Sequence, residues 1–229
     1  GDVNVDEVVS KIKGLFADET VPAGAPKREY YTVPDNKATI VYTKADNEQP
    51  TLNLALYMKR DSDPRGMRAT RESYVEGYKS RLALFILRQR LARLSNEAQP
   101  KLMSCACRDN GFYVTNEKDA FSLNIGLLPD NPKAGIDAAI EVEEKARRYG
   151  FTQAELEHAK VQFTVSVEHD LDNKERTPNA KYAKAIVNHF CGDEPCMNIV
   201  DKAALEAELS ATVTLDDVNK TMKAIATDA

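Results

Sequence analysis

The order of hydrophobic patterns along the chain predicts an α+β fold, with an antiparallel-rich sheet of about five strands and helices packed on one face. Two stretches of alternating apolar residues precede one long helical stretch, and three more alternating stretches follow it. Everything after Pro129 has helical spacing. The length of 229 residues and the hydrophobic content of 42% suit a globular protein with a substantial core.

Composition excludes several classes of partner. The net charge of -5 gives no electrostatic footprint for nucleic acid. No apolar run approaches the ~20 residues that a membrane span needs, so no span is expected. The opening letters GDVNVDEVV contain neither an initiator methionine nor a signal-peptide pattern, and we expect them to come from the middle of a longer protein.

The first part of the chain predicts one helix and a linker. Apolar residues from Val5 to Phe16 recur at helical spacing, and Asn4 is placed to cap the helix. The next stretch, residues 17–36, carries three prolines before any new pattern begins. This composition is typical of a linker or long connection, so the first helix is expected to belong to something upstream.

The next part of the chain predicts a sheet and a long helix. The helix runs from about Thr70 to Ser95, and its centre, LALFIL, is apolar on all sides, which favours central burial against the sheet. Short turns are expected around residues 109–111 and 116–119. The five predicted strands are residues 38–44 (ATIVYTK), 51–60 (TLNLALYMKR), 103–110 (MSCACRDN), 111–117 (GFYVTNE) and 120–128 (AFSLNIGLL).

A helix that starts near Thr152 carries the strongest start signal in the chain. Thr152 and Glu155 form the S/T-x-x-E capping box, and Phe151 and Leu156 are placed as the hydrophobic staple. The preceding helix is closed by Gly150. Three further helices are expected after the helix that starts near Thr152.

The same helix raises the question of a metal site, because it holds two of the three histidines among several carboxylates. His158 and His169 are eleven residues apart, which separates them by ~16 Å along a helix axis. Zinc-binding helices instead place two histidines four residues apart with a glutamate between them. His189 stands alone near another helix end. The spacing therefore predicts no metal and no catalytic role for the candidate residues His158, His169, His189, Glu155, Glu157, Glu168 and Asp170.

The four cysteines do not have the spacing of a zinc site. Cys105 and Cys107 lie in a predicted strand, so both thiols should face the same side. The simplest interpretation is that the cysteines are small residues that are buried or half-buried. Whether Cys191 and Cys196 pair as a disulfide is left open by the sequence.

No glycine-rich phosphate loop, nucleophile elbow or Ser/His/Asp pattern occurs in the chain. Four segments nevertheless resemble the pitrilysin/insulinase-type zinc peptidases, and more narrowly the non-catalytic domain that follows their zinc domain. RRYGFTQAELEHAK is the most specific part of this resemblance. The segments are GDVNVDEVVSKIKGLF, SLNIGLLPDNPKAGIDAAIEVEEKARRYGFTQAELEHAK, YAKAIVNHFCGDEP and ATVTLDDVNK.

The resemblance implies a division into two parts. Residues 1–26 resemble the closing helix of a preceding catalytic domain with its linker, and residues 27–229 resemble the companion domain. The family's catalytic domain binds zinc through H-x-x-E-H and a later glutamate, and nothing here matches that motif. The resemblance therefore implies no catalytic or metal-binding residue and no cofactor in this fragment, with zinc in the parent.

The same resemblance implies the catalytic domain of the same chain as a partner, and peptide as the substrate of the parent. It identifies no substrate-contacting residue, and a parent in the bacterial periplasm or cell envelope would fit it. Two alternatives stay open. The chain could be a separate subunit of a two-chain peptidase, or an independent thiol hydrolase that uses Cys105 or Cys191 with a distant histidine.

Overall fold

The computed structural model describes residues 3–26, 29, 31–64, 66–113, 115 and 117–227. They form two compact units, Gly1–Thr32 and Val33–Ala229. The first unit contains helix α1, Val5–Phe16. The side chain of Asn4 accepts hydrogen bonds from the backbone amides of Asp6 and Glu7 at 3.0 and 3.2 Å, which confirms the predicted cap.

The second unit combines one antiparallel sheet with six α-helices among its described residues. A single turn of 3-10 helix, Lys174–Arg176, follows α4. In chain order the elements are β1 (Leu52–Asp61), α2 (Arg71–Ser95), β2 (Leu102–Gly111), β3 (Lys118–Leu127), α3 (Pro132–Tyr149), α4 (Gln153–Asp172), α5 (Asn179–Gly192), α6 (Ile199–Thr212) and α7 (Leu215–Ile225).

The sheet has the order β1-β3-β2, so the last strand in sequence is the central one. Leu123 of β3 lies opposite Leu56 on one side and Cys107 on the other, and all three belong to the hydrophobic core or pack against it. Helices α2 and α3 cover this face. The predicted α+β class and the placement of helices on one face of the sheet are thus confirmed.

The strand count predicted from sequence is wrong, because the structure contains three strands and not about five. Residues 38–44 lie outside any strand, although their sequence alternates well. Of residues 111–117, Gly111 ends β2 and the other described positions connect it to β3, while Val114 and Asn116 lie outside the described residues. High strand propensity did not suffice, since a strand also needs a neighbouring strand to pair with.

Strand β2 contains one irregularity. Leu102 pairs with Leu127 and Ser104 with Gly126, so Met103 is an extra residue with no partner across the ladder. This β-bulge changes the alternation of side chains along the strand. As a result Leu102 is buried in the core, and so is Cys107 farther along, although regular alternation would place them on opposite faces.

Helix α2 is the centre of the core, as predicted. Its middle turns are buried on all sides, and it contacts β2, α3, α4, α6 and α7. Thr70 caps its first turn by accepting a hydrogen bond from the Ser73 amide at 3.2 Å. The fully buried residues of its centre include Leu82, Ala83, Leu87 and Leu91.

The junction between α3 and α4 depends on Gly150. Its φ of 74° lies in the left-handed region, which is unfavourable for residues other than glycine. A Cβ at this position would lie 2.5 Å from the side chain of Asn219. Asn219 also accepts a hydrogen bond from the Phe151 amide at 2.8 Å, so α7 fixes the start of α4 through this contact.

We predict that Gly150→Ala lowers the free energy of unfolding by about 1–3 kcal/mol, because it combines an unfavourable φ with a collision against Asn219. The matched control is Gly77→Ala in the exposed part of α2, where a Cβ meets nothing within 4 Å. That change should stabilise the protein by about 0.5–1 kcal/mol. Urea denaturation measures both, and equal effects of the two substitutions would contradict the prediction.

Candidate functional site

The start of α4 confirms the predicted capping box. The Thr152 amide donates to the Glu155 carboxylate at 2.8 Å, and the Glu155 amide donates to the Thr152 hydroxyl at 3.3 Å. Phe151 and Leu156, the predicted staple residues, are both buried in the core. The carboxylate that looked like a metal ligand in sequence is therefore part of the helix start.

Glu155 has a second partner that the sequence did not reveal. Arg90 of α2 binds it through two hydrogen bonds of 2.7 Å, and the guanidinium lies 4.9 Å from the centroid of the Phe151 ring. These bonds, with those from Thr152, lower the pKa of Glu155 to about 2. The pair ties α2 to α4 at the edge of the core.

The other carboxylates of α4 make separate local contacts. Glu157 accepts a hydrogen bond from Gln153 at 2.6 Å, and Asp170 lies 3.8 Å from the amine of Lys181. Glu168 is exposed and borders a cavity of about 200 Å³ between α4 and α6. The helix therefore distributes its acidic side chains and does not gather them.

The three histidines are equally separate. His158 is exposed, with its ring centroid 6.2 Å from that of Phe85. His169 is exposed at the last turn of α4, and His189 has its Nδ1 2.7 Å from the carbonyl oxygen of Glu194. Within the described part of the chain, no three His, Cys, Asp or Glu side chains come close enough to hold a metal ion. These residues do not fit a zinc site.

The two cysteines of β2 do not provide a nucleophile. Cys105 and Cys107 face the helix-covered side of the sheet together, as predicted, and burial raises their pKa values to about 12 and about 11. Both thiols are thus protonated near neutral pH, whereas a nucleophilic cysteine needs the thiolate. Cys191 and Cys196 are exposed and are not joined as a disulfide. The thiol-hydrolase alternative has no support.

A buried carboxylate on α6 escaped the sequence analysis. Glu206 is 5% exposed and accepts hydrogen bonds from Tyr74 at 2.6 Å and from Arg81 at 2.8 Å. Burial and this carboxylate together raise the pKa of Tyr74. The Arg81 guanidinium also lies 5.4 Å from the Tyr78 ring. The sequence has arginines on both sides of the apolar centre of α2, but it does not show that Arg81 binds a residue 125 positions away.

A second network joins the sheet to α2. Arg60 of β1 binds Asp109 of β2 through two hydrogen bonds, at 2.6 and 2.8 Å. Ser80 of α2 donates to the same carboxylate at 3.0 Å. Asp109 is thereby held on the helix-covered side of the sheet.

None of the described helices is long and apolar enough to cross a membrane.

Comparison with known proteins gives one family. The family model described as the peptidase M16 inactive domain matches residues 1–163. No curated protein sequence gave a significant match.

Solved structures give the same fold. The first half of the periplasmic protease PqqL from Escherichia coli superposes with a TM-score of 0.79 at 15% identity, over 98% of this chain and 47% of that one. A predicted insulinase family protease from Yersinia pestis superposes with a TM-score of 0.75 at 14% identity, over 98% of this chain and 47% of that one. A peptidase M16 inactive domain from Pseudomonas fluorescens superposes with a TM-score of 0.54 at 16% identity, over 78% of this chain and 39% of that one. The chain therefore spans less than half the length of these structures.

We predict that Glu155→Gln removes an acid-dependent part of the stability. The pKa of Glu155 is about 2, below the ordinary 4.5, so its stabilisation is complete above pH 4.5 and is lost as the pH falls toward 2. Because both partners are partly exposed, we expect a loss of about 1–2 kcal/mol at pH 7.

The wild-type protein should accordingly lose more stability between about pH 5 and pH 2 than the variant does. Chemical denaturation at several pH values measures this difference. Glu157→Gln changes an exposed carboxylate two residues later and serves as the control. Parallel pH profiles for wild type and Glu155→Gln would contradict the assignment.

Proposed function

Because the chain belongs to the peptidase M16 inactive domain family, we propose that it is the non-catalytic domain of a zinc metalloendopeptidase. In this role it supports the catalytic half and helps to enclose a peptide substrate. The observation that carries the proposal is the family match over residues 1–163, in a chain whose described residues gather no metal ligands. Zinc and the water-activating glutamate would come from another domain.

The two parts of the chain have different roles in this proposal. Residues 1–26 are the closing helix of a preceding catalytic domain with its linker, and residues 27–229 are the companion domain. The separation of the structure into Gly1–Thr32 and Val33–Ala229 supports such a division. So does the composition of the connecting stretch, which contains Pro22 and Pro26.

A single-chain arrangement is favoured over a separate subunit of a two-chain peptidase. The matched region of PqqL lies within a longer polypeptide, where it covers 47% of the first half and 24% of the whole chain. The matched region there is thus part of the same chain as the rest of the protease. We extend this arrangement to the present protein as part of the proposal.

A domain without metal contributes to peptide hydrolysis by positioning. Holding the scissile bond in the correct place converts an encounter in solution into a reaction within a complex, which supplies a large share of the rate. Enclosing the substrate also excludes bulk water and strengthens the electrostatic interactions at the zinc site. Neither contribution needs a reactive group on the companion domain.

We predict that the 229-residue chain alone binds no stoichiometric zinc and cleaves no peptide. The physical reason is the spacing of its candidate ligands, of which His158 and His169 are ~16 Å apart along α4. Elemental analysis after dialysis against zinc measures the first property, and a cleavage assay on a mixed set of long peptides measures the second. One tightly bound zinc ion per chain would overturn the proposal.

We also predict that deleting residues 27–229 from the longer polypeptide lowers the cleavage of long peptides by on the order of a hundredfold, because positioning is lost. The zinc content of the truncated protein should stay unchanged, and this serves as the control for an intact catalytic site. Full activity of the truncated protein would show that the companion domain does not take part.

A further inference from the structure

The cavity of about 200 Å³ between α4 and α6 exists because small side chains face it. Ala203 and Ala207 are four positions apart on α6, so both lie on the side of the helix that borders the cavity. The other lining residues are Tyr78 of α2, Phe163, Thr164, Val167 and Glu168 of α4, and Glu206 of α6. Glu168 and Ala207 are exposed and form the rim, so the cavity opens to solvent there.

Aromatic rings form the inner wall of this α4–α6 cavity. Tyr78 is 1% exposed, and its ring centroid lies 5.9 Å from that of Phe163, with 79° between the ring planes. Phe163 is held from behind by Phe85, whose ring centroid is 5.6 Å away. An apolar wall with few polar groups is typical of sites for small organic molecules.

One charged side chain reaches this apolar space. Glu206 is 5% exposed and lines the cavity. Tyr74 and Arg81 both donate to the same carboxylate oxygen, Oε1. No donor among the described residues bonds to Oε2. Because a buried carboxylate oxygen is costly unless it accepts a hydrogen bond, a donor inside the cavity is favoured.

The charges around Glu206 select a neutral donor. Arg81 pairs with Glu206 at 2.8 Å, and its guanidinium lies 5.4 Å from the Tyr78 ring and 5.7 Å from the Phe163 ring. A ligand cation on Oε2 would therefore lie close to the Arg81 cation, and a ligand anion would meet the Glu206 carboxylate. Glu168 adds a negative charge only at the exposed rim, where solvent screens it. A hydroxyl group meets neither repulsion.

The volume of the cavity limits the ligand to about one ring. An engineered apolar cavity of about 150 Å³ in another protein binds benzene. A cavity of about 200 Å³ therefore has room for a benzene-sized ring with a small substituent.

We propose that the α4–α6 cavity binds a phenol, which is a single aromatic ring with one neutral hydroxyl group. The ring packs against Tyr78 and Phe163, and the hydroxyl donates to Oε2 of Glu206. The phenol replaces water at that oxygen and adds apolar contacts that water does not make. This binding site goes beyond the proposed function, since it needs no catalytic half.

The test titrates the 229-residue chain with four molecules of similar size and follows the NMR shifts of the Val167, Ala203 and Ala207 methyl groups. The molecules are 4-methylphenol, toluene, benzylamine and benzoate. 4-Methylphenol should give saturable shifts and bind about tenfold tighter than toluene, because toluene lacks the donor. Benzylamine and benzoate are charged at neutral pH and should bind more weakly than 4-methylphenol.

Matched variants locate the binding. Ala203→Leu and Ala207→Leu should each weaken the binding of 4-methylphenol about tenfold or more, because leucine occupies the space of the ring. Ala204→Leu makes the same change at an exposed position that does not line the cavity, and it should leave binding unchanged. Circular dichroism and thermal melting check that each variant folds.

Glu206→Gln tests the hydrogen bond separately from the space. The amide oxygen of glutamine can still accept from Arg81 and Tyr74, which leaves its NH₂ group, a donor, toward the cavity. The preference for 4-methylphenol over toluene should then fall to about twofold or less, while toluene binds as before.

A phenol reaches the cavity either as a free molecule or as the side chain of a tyrosine in a peptide. N-acetyltyrosinamide distinguishes these sources. If it binds as tightly as 4-methylphenol, the site takes a tyrosine side chain that enters past Glu168 and Ala207. If it binds much more weakly, the site takes a free phenol.

Three results contradict the inference. They are the absence of saturable shifts with 4-methylphenol, which would mean that the cavity holds water only; binding of toluene or benzylamine that equals or exceeds that of 4-methylphenol; and equal losses in Ala203→Leu and Ala204→Leu. The titration needs neither zinc nor peptide cleavage, so its failure is distinguishable from a failure of the truncation experiment.

Discussion

The centre of α2 cannot face water on any side, and the positions of the surrounding elements follow from this constraint. Residues 82–87 are apolar throughout, and nearly all of them are buried. The sheet covers the helix through β2, and four other helices cover the rest of its circumference. Burial of this much apolar surface favours a compact state but specifies little about orientation, because the hydrophobic effect is non-directional.

Orientation comes from the arginines at the margins of that apolar centre. Arg81 reaches Glu206 on α6, Arg90 reaches Glu155 on α4, and Arg88 donates to the carbonyl oxygen of Cys107 on β2 at 2.9 Å. Each contact goes to a different element. Guanidinium groups favour a narrow range of directions, so each pair restricts how its element lies against α2.

Local features of the structure could be predicted from the sequence, whereas pairings distant in sequence could not. The bounds of α2 and the capping box of Thr152 depend on residues within one or two turns, and both were predicted correctly. Residues 38–44 were wrongly assigned to a strand, because alternation says nothing about whether a partner strand is adjacent. The pairing of Arg90 with Glu155 spans 65 positions and left no sequence pattern.

At the candidate site, too, local geometry could be predicted from the sequence and distant contacts could not. Helical geometry alone separated His158 from His169, so a metal site on α4 was rejected from the sequence. Resemblance to a family supplied the companion-domain assignment, which no single residue carries. The packing of Tyr57 against Phe112 and Tyr113, with ring centroids 5.8 and 5.6 Å away, could not be foreseen, because it requires the register of β1 with β3 and the φ of 51° at Tyr113.

The extra residue in β2 has a consequence for how this sequence can diverge. Because Met103 shifts the alternation, losing or gaining one residue near it would turn either Leu102 or Cys107 out of the core. Substitutions in the strand are tolerated if polarity is kept, but changes in its length are not. The PqqL structure, which shares this fold at only 15% identity, is compatible with a strand that tolerates substitutions but not changes in length. Alignments of distant relatives should therefore hold the length of this strand fixed and place their gaps in the connection that follows Gly111.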